Sequence, residues 1–369
     1  MLKVAFLISD EGYGHVVRQR EIIRYLLKNV KNIKIKVFTS KKLFVLKETF
    51  GTRIEYADIY NNIHTRKNGD GSLNVKETKK IFYQWRLNSK QWMKKMKIIL
   101  NDFDFFISDC VPEAFELASI LKKKCFGISH FTWDWFFENI IKDKKNASVD
   151  QMKYYMSKAT HLYFPPFTNE NNLQRYNNNY TSVNFIVKKF RKEKKKTFKK
   201  KKKCLIMDNG NLTMNKLISK TVNYLPKIDN IIFTIRIDNL DSKTIKKILE
   251  AKNILPIRGL KKTHSEIVNS DFIIARGGFN TISECLTNQI PAIFFDEKNN
   301  PEIKDNLNSL KKLRLSTSMK FNDWGKHIQR RLKKYFLQEE KFIIYNFKKY
   351  KFNTNGANQV CKDILRRIK

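Results

Sequence analysis

The chain has 369 residues, 41% of them hydrophobic, with 74 lysines and arginines against 35 acidic residues, a formal charge of +39. That length implies two domains of about 150–200 residues each, and the apolar content excludes wholesale disorder. No window approaches the roughly 20 uncharged apolar residues of a membrane span. Five scattered cysteines (Cys110, Cys125, Cys204, Cys285, Cys361) with no CxxC pair argue against a disulfide or zinc framework and point to a reducing, cytoplasmic setting.

In chain order, residues 3–8 read as an apolar strand rather than a secretory leader, followed by the turn Gly12-Tyr13-Gly14-His15. Residues 16–30 then repeat apolar side chains at helical spacing through Val17, Ile22, Ile23, Leu26 and Leu27. A strand over 33–38, a short helix over 41–49, an exposed loop at Gly69-Asp70-Gly71-Ser72 and a long helix over 75–100 come next. The strand 103–107 ends on Ser108-Asp109, and a helix over 113–121 and a strand over 125–129 complete another strand–helix unit. Such alternation predicts a parallel, doubly wound sheet.

Residues 188–203 are dominated by lysine without apolar periodicity and read as an exposed linker, with a basic patch as the alternative. The alternation then restarts, with strands over 204–207, 231–235, 272–275 and 292–295, helices over 215–224, 242–251 and 264–269, and a loop around 256–260. The expected division is a first domain over 1–187, the linker, a second domain over 204–335 and a charged helical tail over 336–369 that could pack back on the first domain. The two domains are expected to face each other across a cleft, because ligands of open α/β sheets bind outside the carboxyl ends of the strands.

The segment 270–284 is the most informative. It reads as a buried strand, the pair Gly277-Gly278, and a helix starting near Asn280. Glycines let the backbone approach a ligand closely, and the helix start offers unpaired N–H groups and a positive dipole end to phosphate oxygens. Thr281 and Ser283 add hydroxyls, and Glu284 lies one turn in, where a carboxylate can accept from a sugar hydroxyl. The same residues are compatible with an ordinary capped βα turn.

The block from Asp271 to Glu284 with Pro291-Ala292-Ile293, the segment Phe185-Ile186-Val187-Lys188, and the turn Gly12-Tyr13-Gly14-His15 together resemble the GT-B fold glycosyltransferases. They are most similar to the family of the N-acetylglucosaminyltransferase that acts on the peptidoglycan precursor (glycosyltransferase family 28 C-terminal-domain type). Ser108-Asp109 through Ala118, with Phe131-Thr132-Trp133-Asp134, also resembles the front region of plant arabinose kinases. The resemblance spans residues 3 to about 313.

It implies two Rossmann-like domains and a nucleotide-sugar co-substrate, UDP-linked, with no other cofactor and no metal. Gly277, Gly278, Asn280 and Thr281 would face the diphosphate, with Arg276 assisting or pairing with a carboxylate. Gly210 would lie near the phosphates, Glu284 would bind the ribose, and Arg258 and Leu260 would lie against the base. On the acceptor side, Gly12 and Gly14 would shape the turn and His15 would act as general base, steered by Asp109. On the residues alone, His15 can equally shape its turn and Asp109 can cap the following helix.

The resemblance has departures. Asp208-Asn209-Gly210-Asn211 stands where the family has two glycines, and Ile303 replaces a glutamine between the retained Glu302 and Asn306. The sugar and acceptor are therefore not transferred. The Asp102-Phe103-Asp104 triplet precedes a strand and reads as a strand start rather than a metal site. The aromatic run Phe131, Trp133, Trp135, Phe136 and Phe137 reads as core or as an acceptor-facing surface.

The implied activity is inverting transfer of a sugar from a nucleotide diphosphate to a hydroxyl on a lipid, glycan or small molecule. A nucleotide-sugar epimerase or hydrolase and a non-catalytic polyanion binder are the alternatives. The charge excess is either compositional, the product of an AT-rich coding sequence, or suited to an anionic membrane face; nucleic-acid binding from it would be non-specific.

Overall fold

The computed structural model describes residues 1–61, 63–142, 146–177, 179–188, 201–207 and 212–369. Most of the lysine-rich segment, residues 189–200, lies outside the described residues, as does 208–211 with Gly210. Two compact units emerge: Met1–Arg66, Asn74–Val187 and Asn353–Lys369 form the first, Lys67–Leu73 and Lys188–Phe352 the second.

The first unit is a parallel sheet of seven strands: β1 (Leu2–Ile8), β2 (Ile33–Thr39), β3 (Glu55–Asp58), β4 (Phe105–Asp109), β5 (Lys124–Ile128), β6 (His161–Phe164) and β7 (Tyr180–Ser182), in the order β3-β2-β1-β4-β5-β6-β7. Central strands are buried on both faces, so β1, β4 and β5 are near-continuous apolar runs. The β1–β4 register sets Ile8 beside Asp109. The helix Val75–Leu100 lays Trp92, Met96 and Leu100 against Phe38, Phe106 and Phe115. The aromatic run is core: Trp133, Phe136 and Phe137 are buried, and buried Asp134 accepts from Tyr176 Oη at 2.9 Å. Asp104 of the DxD triplet accepts from the Lys3 backbone at 2.7 Å, tying down the start of β1.

Buried Asp10 pins the ends of neighbouring strands by accepting from the backbone N–H groups of Ser40, Lys41 and Asn61 at 2.8–2.9 Å. The last helix, Gly356–Ile368, packs on the first helix, Gly14–Asn29; Tyr25 Oη donates to Asn358 at 2.8 Å. Tyr163 of β6 donates to Asp363 at 2.8 Å.

The second unit is a parallel sheet of six strands: β8 (Lys202–Met207), β9 (Ile231–Arg236), β10 (Ile254–Ile257), β11 (Phe272–Arg276), β12 (Ala292–Phe295) and β13 (Thr317–Met319), in the order β10-β9-β8-β11-β12-β13. β8 begins two residues before the expected 204, within the lysine run, and the expected loop at 256–260 is partly strand. Pro256 is tolerated there because β10 is an edge. Among the described residues no helix is long and apolar enough to cross a membrane, and all five cysteines are free thiols.

Gly356 opens the last helix against Asn184, where a Cβ would lie 2.0 Å from a backbone carbonyl oxygen. Backbone cannot rotate away as a side chain can, so Gly356→Ala is expected to cost about 1–3 kcal/mol through overpacking, read as a lower urea midpoint for the first unit.

Candidate functional site

In each sheet the chain builds outward to one side of the first strand and then resumes on the other. The switch points lie between β1 and β4 and between β8 and β11. The carboxyl ends of adjacent strands diverge there, leaving a crevice suited to ligands. The turns singled out in the sequence, Gly12 to His15 and Gly277-Gly278, fall at these two places.

In the first unit, β1 leads into Gly12, whose φ of +69° a residue with a Cβ would adopt only with strain. Gly14 then starts the helix, and the next turn aims His15, Arg18 and Gln19 at the end of β4. His15 Nδ1 lies 2.7 Å from Asp109 Oδ1. Arg18 grips the same carboxylate twice, Nε to Oδ2 at 2.9 Å and Nη2 to Oδ1 at 2.6 Å. Gln19 Nε2 adds a fourth bond at 2.8 Å. Asp109 and Gln19 are fully buried, Arg18 is 1% exposed and His15 5%. Arg18 Nη1 also lies 3.4 Å from His130 Nδ1.

Asp109 therefore does not act as a helix cap through its side chain; the helix Glu113–Ile120 starts after Pro112 without a side-chain cap. Burial alone would lower the His15 pKa, but the adjacent Asp109 carboxylate outweighs it and raises it to about 10. Burial would likewise raise the Asp109 carboxyl, yet the Arg18 and His15 charges hold it well below the usual carboxylate range. His15, Asp109 and Cys110 bring metal-capable atoms within 4.8 Å of one another. The Arg18 guanidinium already occupies that carboxylate, so this donor set does not suit a metal cation.

In the second unit, β11 ends at Arg276, and Gly278 N–H donates back to the Arg276 carbonyl at 2.8 Å, closing a tight turn. Neither glycine there has a positive φ. Gly277 is closely packed: a Cβ would meet the Leu307 side chain at 3.0 Å, and Asn306 Nδ2 donates to its carbonyl at 3.1 Å. Gly278 is the N-cap of the helix Phe279–Thr287 and makes no side-chain bond to it. Asn280, Thr281 and Glu284 lie in its first two turns, Thr281 and Glu284 buried. The Ser283 hydroxyl, expected to be a phosphate donor, instead donates to the Phe279 carbonyl at 2.8 Å. Glu284 Oε1 lies 3.5 Å from His264 Nε2.

Arg276 does pair with carboxylates: Nε donates to Glu297 Oε2 at 2.6 Å, and Nη2 is 3.8 Å from Glu302. Glu297 is buried and also bonded by Lys67. Burial would raise its pKa, but the two cations hold it lowered. Arg258 follows β10, exposed, and Leu260 opens the helix Leu260–Asn269 after Gly259 at φ +76°.

Arg18 and Gln19 were not anticipated. Their signal was present: three and four residues after His15 they share its helix face, and a buried arginine there interrupts an otherwise apolar stripe.

No family model and no curated protein sequence matches the chain. Solved structures do match over its whole length. Phytolacca americana UGT2, complexed with UDP-2fluoro-glucose and pterostilbene, is 11% identical with a TM-score of 0.67, covering 100% of both chains. CalG4, the calicheamicin glycosyltransferase, is 10% identical with a TM-score of 0.69, covering 99% of this chain and 98% of that one. Acinetobacter baumannii MurG is 12% identical with a TM-score of 0.59, covering 99% of this chain and 100% of that one. At such identities the likeness is one of fold, and the fold is GT-B.

Asp109→Asn leaves Arg18 buried without its counter-charge, an expected loss of about 3–5 kcal/mol in urea unfolding. In the unaltered protein, His15 contributes fully below its ordinary 6.5 and loses that contribution as pH rises through about 10. Asp109 contributes fully above its ordinary 3.8 and less below it. The urea midpoint should therefore be highest between these values and decline on both sides, with the alkaline decline missing in His15→Ala.

Proposed function

We propose that this protein is a glycosyltransferase that moves a sugar from a nucleotide-diphosphate donor to a hydroxyl acceptor with inversion and without a metal in the chemistry. One observation carries the reading: a histidine held 2.7 Å from a fully buried aspartate at a switch point. A hydroxyl is a weak nucleophile until a base takes its proton. With Nδ1 engaged by Asp109, His15 Nε2 is the nitrogen that takes it. The freed oxygen attacks the anomeric carbon as the bond to the diphosphate breaks, and the nucleoside diphosphate leaves with the bonding pair. A single displacement inverts the centre. Asp109 stabilises the imidazolium that results.

The donor is assigned to the second unit. The start of the helix Phe279–Thr287 presents the positive end of its dipole, which suits the charge that grows on the departing diphosphate. Gly277, Gly278, Asn280 and Thr281 are assigned to this cradle, together with Gly210, which follows β8 in the sequence. Glu284 takes the ribose hydroxyls, Arg258 and Leu260 the base, and Arg276, steadied by Glu297, the phosphate side. Gly12 and Gly14 shape the acceptor turn. UDP is the expected nucleotide, supported by the UDP-2fluoro-glucose in a structure of the same fold.

A thermal-shift panel of nucleotide sugars tests the donor, since a ligand bound by the folded state alone raises the melting temperature. A UDP-sugar should raise it, and Glu284→Ala should abolish the rise. His15→Ala should keep the rise while turnover falls about 100- to 10,000-fold. Because Asp109 raises the His15 pKa, kcat/KM should climb with pH well beyond 6.5. Normal turnover in His15→Ala removes it as the base.

A further inference from the structure

The helical stretch formed by Ile328–Lys334, the wide turn Tyr335–Glu339 and Glu340–Lys349 has two unlike faces. Its inner face buries Ile328, Leu332, Tyr335, Ile343 and Phe347, with the Tyr335 and Phe336 rings packed on Phe272 of β11. Its outer face exposes Leu337 by 69%, Phe342 by 60%, Tyr345 by 59% and Ile344 by 45%. No other stretch of the described residues gathers as many exposed large apolar side chains so closely.

The charges around them have one sign. Lys333, Lys334, Lys341, Lys348 and Lys349 are exposed. The two acids turn to other partners: Glu339 accepts from Arg331 at 2.9 Å and Glu340 from Lys202 at 2.6 Å. Lys349 Nζ sits 4.8 Å from the Tyr345 ring centre, a cation at the edge of the apolar patch.

We propose that this face binds the surface of a lipid bilayer bearing acidic headgroups, the apolar side chains entering the headgroup boundary and the lysines meeting phosphates. Aliphatic Leu337 and Ile344 favour a lipid over nucleic acid, where exposed aliphatics gain nothing from phosphates. A chain of charge +39 is repelled by its own copies, so like-charge repulsion disfavours self-association as the cover. The surface stands independently of the glycosyl-transfer reading, and its test needs neither donor nor acceptor.

The full chain is sedimented with vesicles of 30:70 phosphatidylglycerol:phosphatidylcholine and with pure phosphatidylcholine. Strong binding to the first only, lost as salt is raised from 50 to 500 mM, is expected (about these concentrations bracket strong and weak screening). Leu337→Asp with Phe342→Asp should abolish it, and Lys341→Glu, Lys348→Glu and Lys349→Glu together should weaken it roughly a hundredfold. Both variants should keep the parent's melting temperature within a few degrees, because the altered side chains are exposed; the lysine variant serves alone if the apolar one misfolds. Vesicle binding unchanged in the lysine variant overturns the proposal, since lysines elsewhere would then carry it. So does binding to neutral vesicles alike, no vesicle binding, or a face whose variants abolish binding to an oligonucleotide or a dimer in sedimentation velocity but leave vesicle binding intact.

Discussion

A carboxylate removed entirely from water is tolerated only where its charge and its lone pairs are both answered. Asp109 meets that condition through four hydrogen bonds, three of them from two side chains on a single helical turn and the fourth from His15 on the same turn. The requirement runs backwards into the fold. β1 must pair with β4 in the register that sets Ile8 beside Asp109, and the helix after Gly12 must begin at once, so that His15, Arg18 and Gln19 reach the strand end together. A slip of one residue would turn Asp109 to the other face of the sheet and leave the Arg18 guanidinium buried alone.

The second unit answers the same problem with different chemistry. Glu297, just beyond the end of β12, is a buried carboxylate bonded by Arg276 from the end of β11, by Asn300 at 2.6 Å and by Lys67. Both switch-point regions thus hold a buried acid neutralised by an arginine. They differ in the remaining partner. In the first unit it is a histidine, an imidazole that can take up and release a proton; in the second it is a lysine. This contrast agrees with the proposed division, in which proton transfer belongs to the first unit and donor binding to the second.

Much of the fold was legible because central parallel strands are apolar on both faces: residues 3–8, 204–207, 272–275 and 292–295 announce themselves, and 33–38 does so by alternating lysine with apolar side chains. The strands that were not read are β3, β6, β7, β10 and β13, of three or four residues each, and all except β6 are sheet edges. Edges keep one side open, so their side chains need not be apolar, and β10 even carries Pro256. The glycines of the Gly277-Gly278 turn were legible as a signal, but the reason for Gly277 was not. Its backbone has no positive φ, and the close neighbour is a tertiary one, the Leu307 side chain thirty positions on. The pairing of Arg276 with Glu297 was likewise invisible, since it joins the ends of two strands.

The His15 site poses a physical question of its own. A base held protonated by its aspartate cannot accept a proton, so an isolated histidine–aspartate pair in a dry setting would oppose the reaction proposed for it. Arg18 alters this balance. Its Nη2 lies 3.2 Å from His15 Nδ1, and both cations share Asp109 Oδ1, so the protonated cluster carries a net positive charge in a buried place. Only one of the two can shed it, because a guanidinium does not titrate in proteins. The Arg18 charge therefore opposes part of the hold of Asp109 on the imidazolium without reversing it, since the His15 pKa stays raised to about 10, and the aspartate fixes the ring's orientation. A leucine in place of Arg18 would keep the shape of the helix turn but would remove that opposing charge together with two of the four hydrogen bonds to Asp109.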